Sequence, residues 1–260
     1  MTPDAAILLE ERQANGVLLL TLNRPDQRNA LATPLLEAIA DALVRADGDS
    51  GVRCAVITGN SKVFAAGADI GELERADGSE PVEGQRWIAW NTIAAFSKPL
   101  IAALEGWCLG AGSELMLRCD IVVAGRNAKL GQPETNLGII PGAGGTAILP
   151  RKIGMAAAMD MVLTGDPVTG ERAWQLGLVA RLADDGQALA SALELADRLA
   201  NRAPGALRAA KASILDSGKG TLADHLRAER ERFLGLLTGA EKAEGIAAFR
   251  ERRPADWSRF

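Results

Sequence analysis

Through the first half of the chain, apolar positions come in short bursts closed by glycine or polar turns. Residues 7–10 and 17–22 are two such bursts joined across Asn15-Gly16, which predicts a β-hairpin. Residues 55–58, 100–104 and 121–124 are almost wholly apolar with a glycine close behind, the pattern of short buried strands. Between the first of these bursts the period lengthens to that of a helix. Thr33-Pro34 opens it, with Thr33 expected as N-cap and Pro34 in the first turn, and it runs to about Asp47 and stops near Gly48. From Gln187 onward the strand pattern disappears, and residues 187–201, 204–215, 221–237 and 240–253 all read as helices. This alternation predicts α/β layers over residues 1–200, followed by a helical subdomain over 201–260. The boundary near Asn201 is a change of pattern, with no low-complexity linker and no repeat of fixed period.

Composition narrows the class. At 260 residues and 48% hydrophobic content, the chain can bury most of the surface its unfolded form exposes. Cys54, Cys108 and Cys119 sit in apolar surroundings without metal-site spacing, and an odd number leaves one unmatched in any disulfide scheme. Reduced thiols in a cytoplasm are expected. No stretch approaches the ~18 apolar residues that span a membrane, and the Met-Thr-Pro-Asp start lacks a basic signal or transit pattern. The net charge of −4 is uneven: residues 201–260 carry 12 Lys/Arg against 8 Asp/Glu. Such a basic piece could meet a phosphate-bearing ligand, although solvated helix faces would look the same.

The candidate chemistry lies where small residues cluster beside carboxylates. Phe64-Ala-Ala-Gly-Ala-Asp-Ile70 follows a strand and precedes a helix, so its backbone can approach a ligand closely, with the N–H of Ala68 as a donor. Gly106 to Gly112 leads into a second helix, whose unpaired N–H groups lie near Ala111. Two converging N–H groups can stabilise an oxyanion. Glu114 lies one turn into that helix among Leu115, Met116 and Leu117, where a carboxylate is costly to bury without a task; Glu134, in Gly131-Gln-Pro-Glu, supplies a second acid. Taken singly, a glycine-rich turn is often only tight packing, and Glu134 could be a surface residue. Gly142-Ala-Gly-Gly-Thr146 is followed by no lysine, which sets nucleotide hydrolysis aside. His225 is the sole histidine and reads as a surface residue, so a His-based triad or zinc site is not expected. Trp87 and Trp90, three apart on a helix, read as core packing.

Together these segments resemble the enoyl-CoA hydratase (crotonase) superfamily along nearly the whole chain. The resemblance is carried by Leu22-Asn-Arg-Pro25 with Asn29-Ala-Leu31, by 64–70, Lys98-Pro99, Gly110-Ala-Gly-Ser-Glu114, Gln132-Pro-Glu134, the run 137–146 and Ala243 to Phe249. It implies a ββα spiral core, a carboxy-terminal helical region that mediates trimers often paired as hexamers, and an acyl-CoA thioester as substrate with no separate cofactor and no metal. Having both Glu114 and Glu134 resembles the hydratases in particular. The resemblance then implies that Ala68 and Ala111 polarise the thioester carbonyl, Glu114 activates water and Glu134 delivers a proton to Cα. Backbone around Ala66, Asp69 and Ile70 would hold CoA, Gly142 would lie against the acyl group, and Phe249 and Arg252 would reach a neighbouring subunit's CoA. An enoyl-CoA isomerase, a CoA-thioester hydrolase and an RNA-binding relative are the competing readings. The lack of a long basic stripe with interleaved aromatics argues against the last. Ala111 stands where the family usually has glycine, Gly144-Gly-Thr-Ala-Ile148 lacks the usual polar pair, and residues 72–96 are individual, so the acyl group is not legible; fatty-acid and aromatic-acid breakdown, the latter with 2,3-dehydroadipyl-CoA, both match.

Overall fold

The computed structural model describes residues 6–260. Its strands are β1 (Leu8–Arg12), β2 (Val17–Leu22), β3 (Cys54–Thr58), β4 (Val63–Ala65), β5 (Leu100–Leu104), β6 (Trp107–Leu109), β7 (Ile121–Gly125), β8 (Lys129–Gly131), β9 (Val168–Thr169) and β10 (Arg181–Ala183). Its helices are α1 (Thr33–Gly48), α2 (Ile70–Arg75), α3 (Gln85–Ala94), α4 (Ala111–Arg118), α5 (Gly145–Ile153), α6 (Met155–Thr164), α7 (Gly170–Gln175), α8 (Ala188–Ala200), α9 (Pro204–Asp216), α10 (Leu222–Leu237) and α11 (Ala240–Glu251).

Six strands form one sheet in the order β1-β2-β3-β5-β7-β10, and four form a second in the order β4-β6-β8-β9. The chain visits the two alternately: β3 then β4, β5 then β6, β7 then β8, each pair followed by helical structure. Successive visits pair in parallel, β3 with β5 and β5 with β7 in the large sheet, β4 with β6 and β6 with β8 in the small one. This is the ββα spiral of the crotonase fold. The antiparallel hairpin β1–β2, with Leu8 opposite Leu22, enters the sheet through β2.

Strands β3 and β5 are buried at every position because both faces of the large sheet are covered. The period of two divides their side chains between two cores. Ala55, Ile57, Leu100, Ala102 and Leu104 face a cluster shared with α1, α3 and α4; Cys54, Val56, Ile101 and Ala103 face Ala188, Ala192, Leu195, Ala196 and Ala200 on one stripe of α8. The cysteines are free buried thiols, and burial pushes that of Cys54 up to about 12. Among the described residues no helix is long and apolar enough to cross a membrane.

Two expectations change. Thr33 is not the N-cap of α1: Ala32 holds that place with extended backbone, and Thr33 gives its N–H and hydroxyl to the Glu72 carboxylate at 2.9 and 3.0 Å. A carboxylate on α2, remote in sequence, thus serves the helix start that a local reading assigned to Thr33. His225 is not a surface residue either; only 12% of its side chain is exposed, against Glu229.

Candidate active site

The loop 64–68 between β4 and α2 is held from the segment before α1. Asn29 is fully buried in the left-handed region (φ 55), where its amide donates to the Phe64 carbonyl at 3.1 Å and its Oδ1 accepts the Arg24 N–H at 2.9 Å. Ala66 N–H donates to the Arg28 carbonyl, and Leu31 N–H to that of Gly67. Asp69 caps α2 and pairs with Arg24 at 3.0 Å. The motif 22–31 therefore acts as the brace of this loop. Among the described residues, no carbonyl accepts from the N–H of Ala68.

The second loop turns at Gly110 with φ 51 and ψ −125, a conformation suited to glycine, and α4 starts at the next residue. Ala111 N–H heads that helix and is likewise without an acceptor among the described residues. The two loops and the second acid converge: a methyl on Gly110 would sit 3.1 Å from Glu134 Oε1 and 3.6 Å from Gly67 Cα. Gly112 is packed so tightly that its methyl would meet the Ala65 carbonyl oxygen at 2.3 Å. Alanine at 111 is accommodated, whereas alanine at 112 would have to displace backbone.

Glu114 is 3% exposed, and its Oε1 accepts N–H groups from Ala143 at 2.6 Å and Gly145 at 2.9 Å. Arg118, one turn on, donates to the Ala143 carbonyl at 2.8 Å and steadies the same loop. Oε2 accepts nothing among the described residues and is free for water. Burial raises the Glu114 carboxyl above its ordinary range, opposed by the two N–H groups and then by Arg118. Glu134 begins a 3-10 turn, Glu134–Leu137, and burial pushes its carboxyl up to about 7, against the pull of its own N–H and with added repulsion from Glu114. The buried Gln132 amide, with its NH₂ group turned to Glu134, donates to both carboxyl oxygens at 3.0 and 3.2 Å. Repulsion from Glu114 couples the two acids, so they titrate as a pair, and burial favours the proton on Glu134.

A cavity of about 350 Å³ opens between these groups, lined by Ala66, Ala68, Ile70, Gly142 and both glutamates. It has the set expected of carbonyl activation with acid–base transfer: two free N–H groups, a base held by its far oxygen, and an acid poised near neutrality. Asp69 turns its side chain away to Arg24, while Phe249, 85% exposed on α11, and Arg252, the left-handed cap of that helix, stand outside the lining of their own chain's cavity. Trp87 lines the cavity with 44% exposure, so only Trp90, at 5%, belongs to the core. Gln132, the N–H groups of Ala143 and Gly145, and an apolar rim of Leu137, Ile139 and Ile140 lie in segments that carry the family resemblance but have roles the sequence does not assign to them, and Arg86 has no signal there at all. A glutamine two positions before Glu134 was the sole local signal for the first.

A buried acid raised in the fold makes stability depend on pH. The unfolded Glu134 ionises near 4.5 and the folded one near 7, so the stability of the protonated form is fully present below about 4.5 and is lost as pH rises through about 7. Glu134→Gln does not titrate. Its melting temperature relative to wild type is expected to climb between pH 5 and pH 8, and a difference that stays flat across that range would contradict the buried acid.

Spiral, paired glutamates and twin N–H donors define a crotonase-type acyl-thioester enzyme, and comparison with known proteins makes the assignment narrower. The family model "Enoyl-CoA hydratase/isomerase" matches residues 12–259, and the chain belongs to that family. It is 45% identical to the 2,3-dehydroadipyl-CoA hydratase of Escherichia coli (strain K12), over 96% of this chain and 98% of that one. It is 40% identical to a probable enoyl-CoA hydratase of Rhizobium meliloti (strain 1021), over 96% and 97%. Among solved structures, enoyl-CoA hydratase from Mycobacterium tuberculosis H37Rv superposes with TM-score 0.88 at 36% identity (96% and 98% covered), and that from Bacillus anthracis with 0.90 at 32% (97% and 99%).

Proposed function

We propose that the enzyme adds water reversibly across the Cα–Cβ double bond of a trans-2-enoyl-CoA, giving a 3-hydroxyacyl-CoA. The observation that carries this reading is the difference between the two acids: Glu114 pinned through Oε1 by two N–H groups with Oε2 free, and Glu134 raised to about 7 beside it. The thioester oxygen accepts from Ala68 and Ala111, which draws electron density from Cβ. Water held at Glu114 Oε2 loses a proton to that carboxylate as its oxygen bonds Cβ. Glu134 then gives its proton to Cα, and the enolate collapses back to the thioester. Dehydration runs the same steps backwards, with Glu134 accepting and Glu114 donating. Every proton is supplied by the pair and the water, so no cofactor beyond the CoA of the substrate is needed.

Isomerisation would employ Glu134 alone, shuttling a proton between Cα and Cγ, and would leave the elaborate seating of Glu114 without a task. The two are separated by offering trans-2- and trans-3-hexenoyl-CoA side by side. Much faster consumption of the 2-enoyl thioester, with 3-hydroxyhexanoyl-CoA as product, supports hydration; the reverse preference removes it.

We further assign the working form to a homotrimer or a pair of trimers in the cytoplasm. Ile214, Leu222, Leu226, Phe233, Leu234 and Phe249 are exposed on α9, α10 and α11, more apolar surface than an isolated chain usually shows in one region. Light scattering should give three or six times the chain mass, with a monomer as the contrary result. Phe249 and Arg252 would then face a neighbour's CoA.

A further inference from the structure

The cavity wall contributed by residues 72–90 contains a cation that the hydration chemistry does not use. Arg86, in the first turn of α3, is the sole positively charged side chain among the described residues lining the cavity, beside Trp87, Trp90 and Val82. Its Nη1 is fully engaged, donating to the Leu31 carbonyl at 3.2 Å, Thr33 Oγ1 at 3.1 Å and Glu72 Oε2 at 2.9 Å. Glu72 in turn is occupied by Thr33 N–H and hydroxyl. One nitrogen therefore fixes the guanidinium plane. Nη2 and Nε have no partner among the described residues, and the side chain keeps 25% exposure.

A guanidinium pinned at one nitrogen and open along its other edge is a preorganised receptor for a planar carboxylate. Glu80 also lines the cavity but makes no ion pair with Arg86 among the described residues. Arg86 and both glutamates line the same cavity, so the guanidinium and the reacting groups face one space. From Cβ of a six-carbon diacid thioester, three bonds lead to the terminal carboxyl carbon, a reach of about 3.8 Å when extended, the span of one trans peptide unit. The mostly apolar rim would suit the intervening methylenes.

We infer that Arg86 receives the distal carboxylate of the acyl chain, so that the preferred substrates are trans-2-enoyl-CoA thioesters of dicarboxylic acids. This rests on the hydratase reading and adds to it a specificity residue. A cation that only braced α3 against Glu72 would affect all substrates alike, which gives the test its form.

The experiment compares kcat/KM for 2,3-dehydroadipyl-CoA with that for trans-2-hexenoyl-CoA, equal in chain length, in the wild-type enzyme and in Arg86→Met and Arg86→Lys. The wild type should favour the diacid by about tenfold or more, the ratio should fall about 10- to 100-fold in Arg86→Met, and Arg86→Lys should keep part of it, as expected for losing a charge-assisted hydrogen-bonded pair. Should Arg86→Met fail to fold, the wild-type ratio and the lysine variant still decide. Equal hydration of both thioesters by wild type, or an equal fall for both in the variants, overturns the role of Arg86 and leaves hydration intact. Hydration of neither removes the hydratase reading and this inference with it.

Discussion

Replacing Glu114 or Glu134 by glutamine is expected to lower kcat for hydration by about 10²- to 10⁴-fold, the range for losing a positioned acid or base. The substitution is close to isosteric at both sites. In Glu114→Gln the amide oxygen can still accept from Ala143 and Gly145, so the loop that shapes the cavity stays in place while the proton acceptor is gone. In Glu134→Gln a proton donor of the wrong kind faces Cα, and Gln132 keeps an oxygen to donate to. Binding should survive in both, since neither carboxylate anchors CoA in this account. Steady-state kinetics at saturating substrate, with calorimetric binding of the product thioester to each variant, read the two quantities separately. A variant retaining kcat within tenfold of wild type would mean that its carboxylate does not move a proton in the slow step.

The second large effect concerns an N–H group and no side chain. Ala111→Pro deletes the donor at the first position of α4, a place where proline is tolerated because that N–H has no helical partner and the fixed φ suits a helix start. The preceding Gly110 lacks the Cβ that would otherwise clash with a proline ring. The helix should persist, judged by circular dichroism and melting temperature, while kcat falls about 10²- to 10³-fold, as for loss of one oxyanion donor. An enzyme that folds and turns over at nearly the wild-type rate would show that the thioester oxygen is held elsewhere. Gly112→Ala should behave differently. Its methyl is driven into the Ala65 carbonyl, so stability and activity should fail together.

The buried strands and the carboxy-terminal helices were legible because their patterns are strong: β3, β5 and β7 are apolar runs, and α8 carries an apolar stripe at helical spacing. The second sheet was not, since β4, β6 and β8 are three-residue strands that acquire meaning only by pairing with one another across long separations. The spiral came from resemblance to a family, and periodicity alone would have missed it. Both carboxylates and both small-residue loops were visible, because a glutamate in an apolar helix and a run of small residues are local anomalies. What seats them was invisible: the N–H groups on Glu114 come from a loop some thirty positions away (29 and 31 residues), and Thr33 looked like a cap until Glu72 reached it from α2. Trp87 and Arg86 stand one residue apart from a helix face that reads as ordinary packing, and only the cavity distinguishes them.

The most direct test of the hydratase assignment is to incubate the purified protein with crotonyl-CoA in ¹⁸O-enriched water and follow both the enoyl-thioester absorbance and the product mass. Absorbance should fall while one labelled water is gained with CoA still attached, and neither change should occur at a comparable rate with Glu114→Gln or Glu134→Gln. Free CoA with label in the released acid, or no turnover of any 2-enoyl thioester, would contradict it.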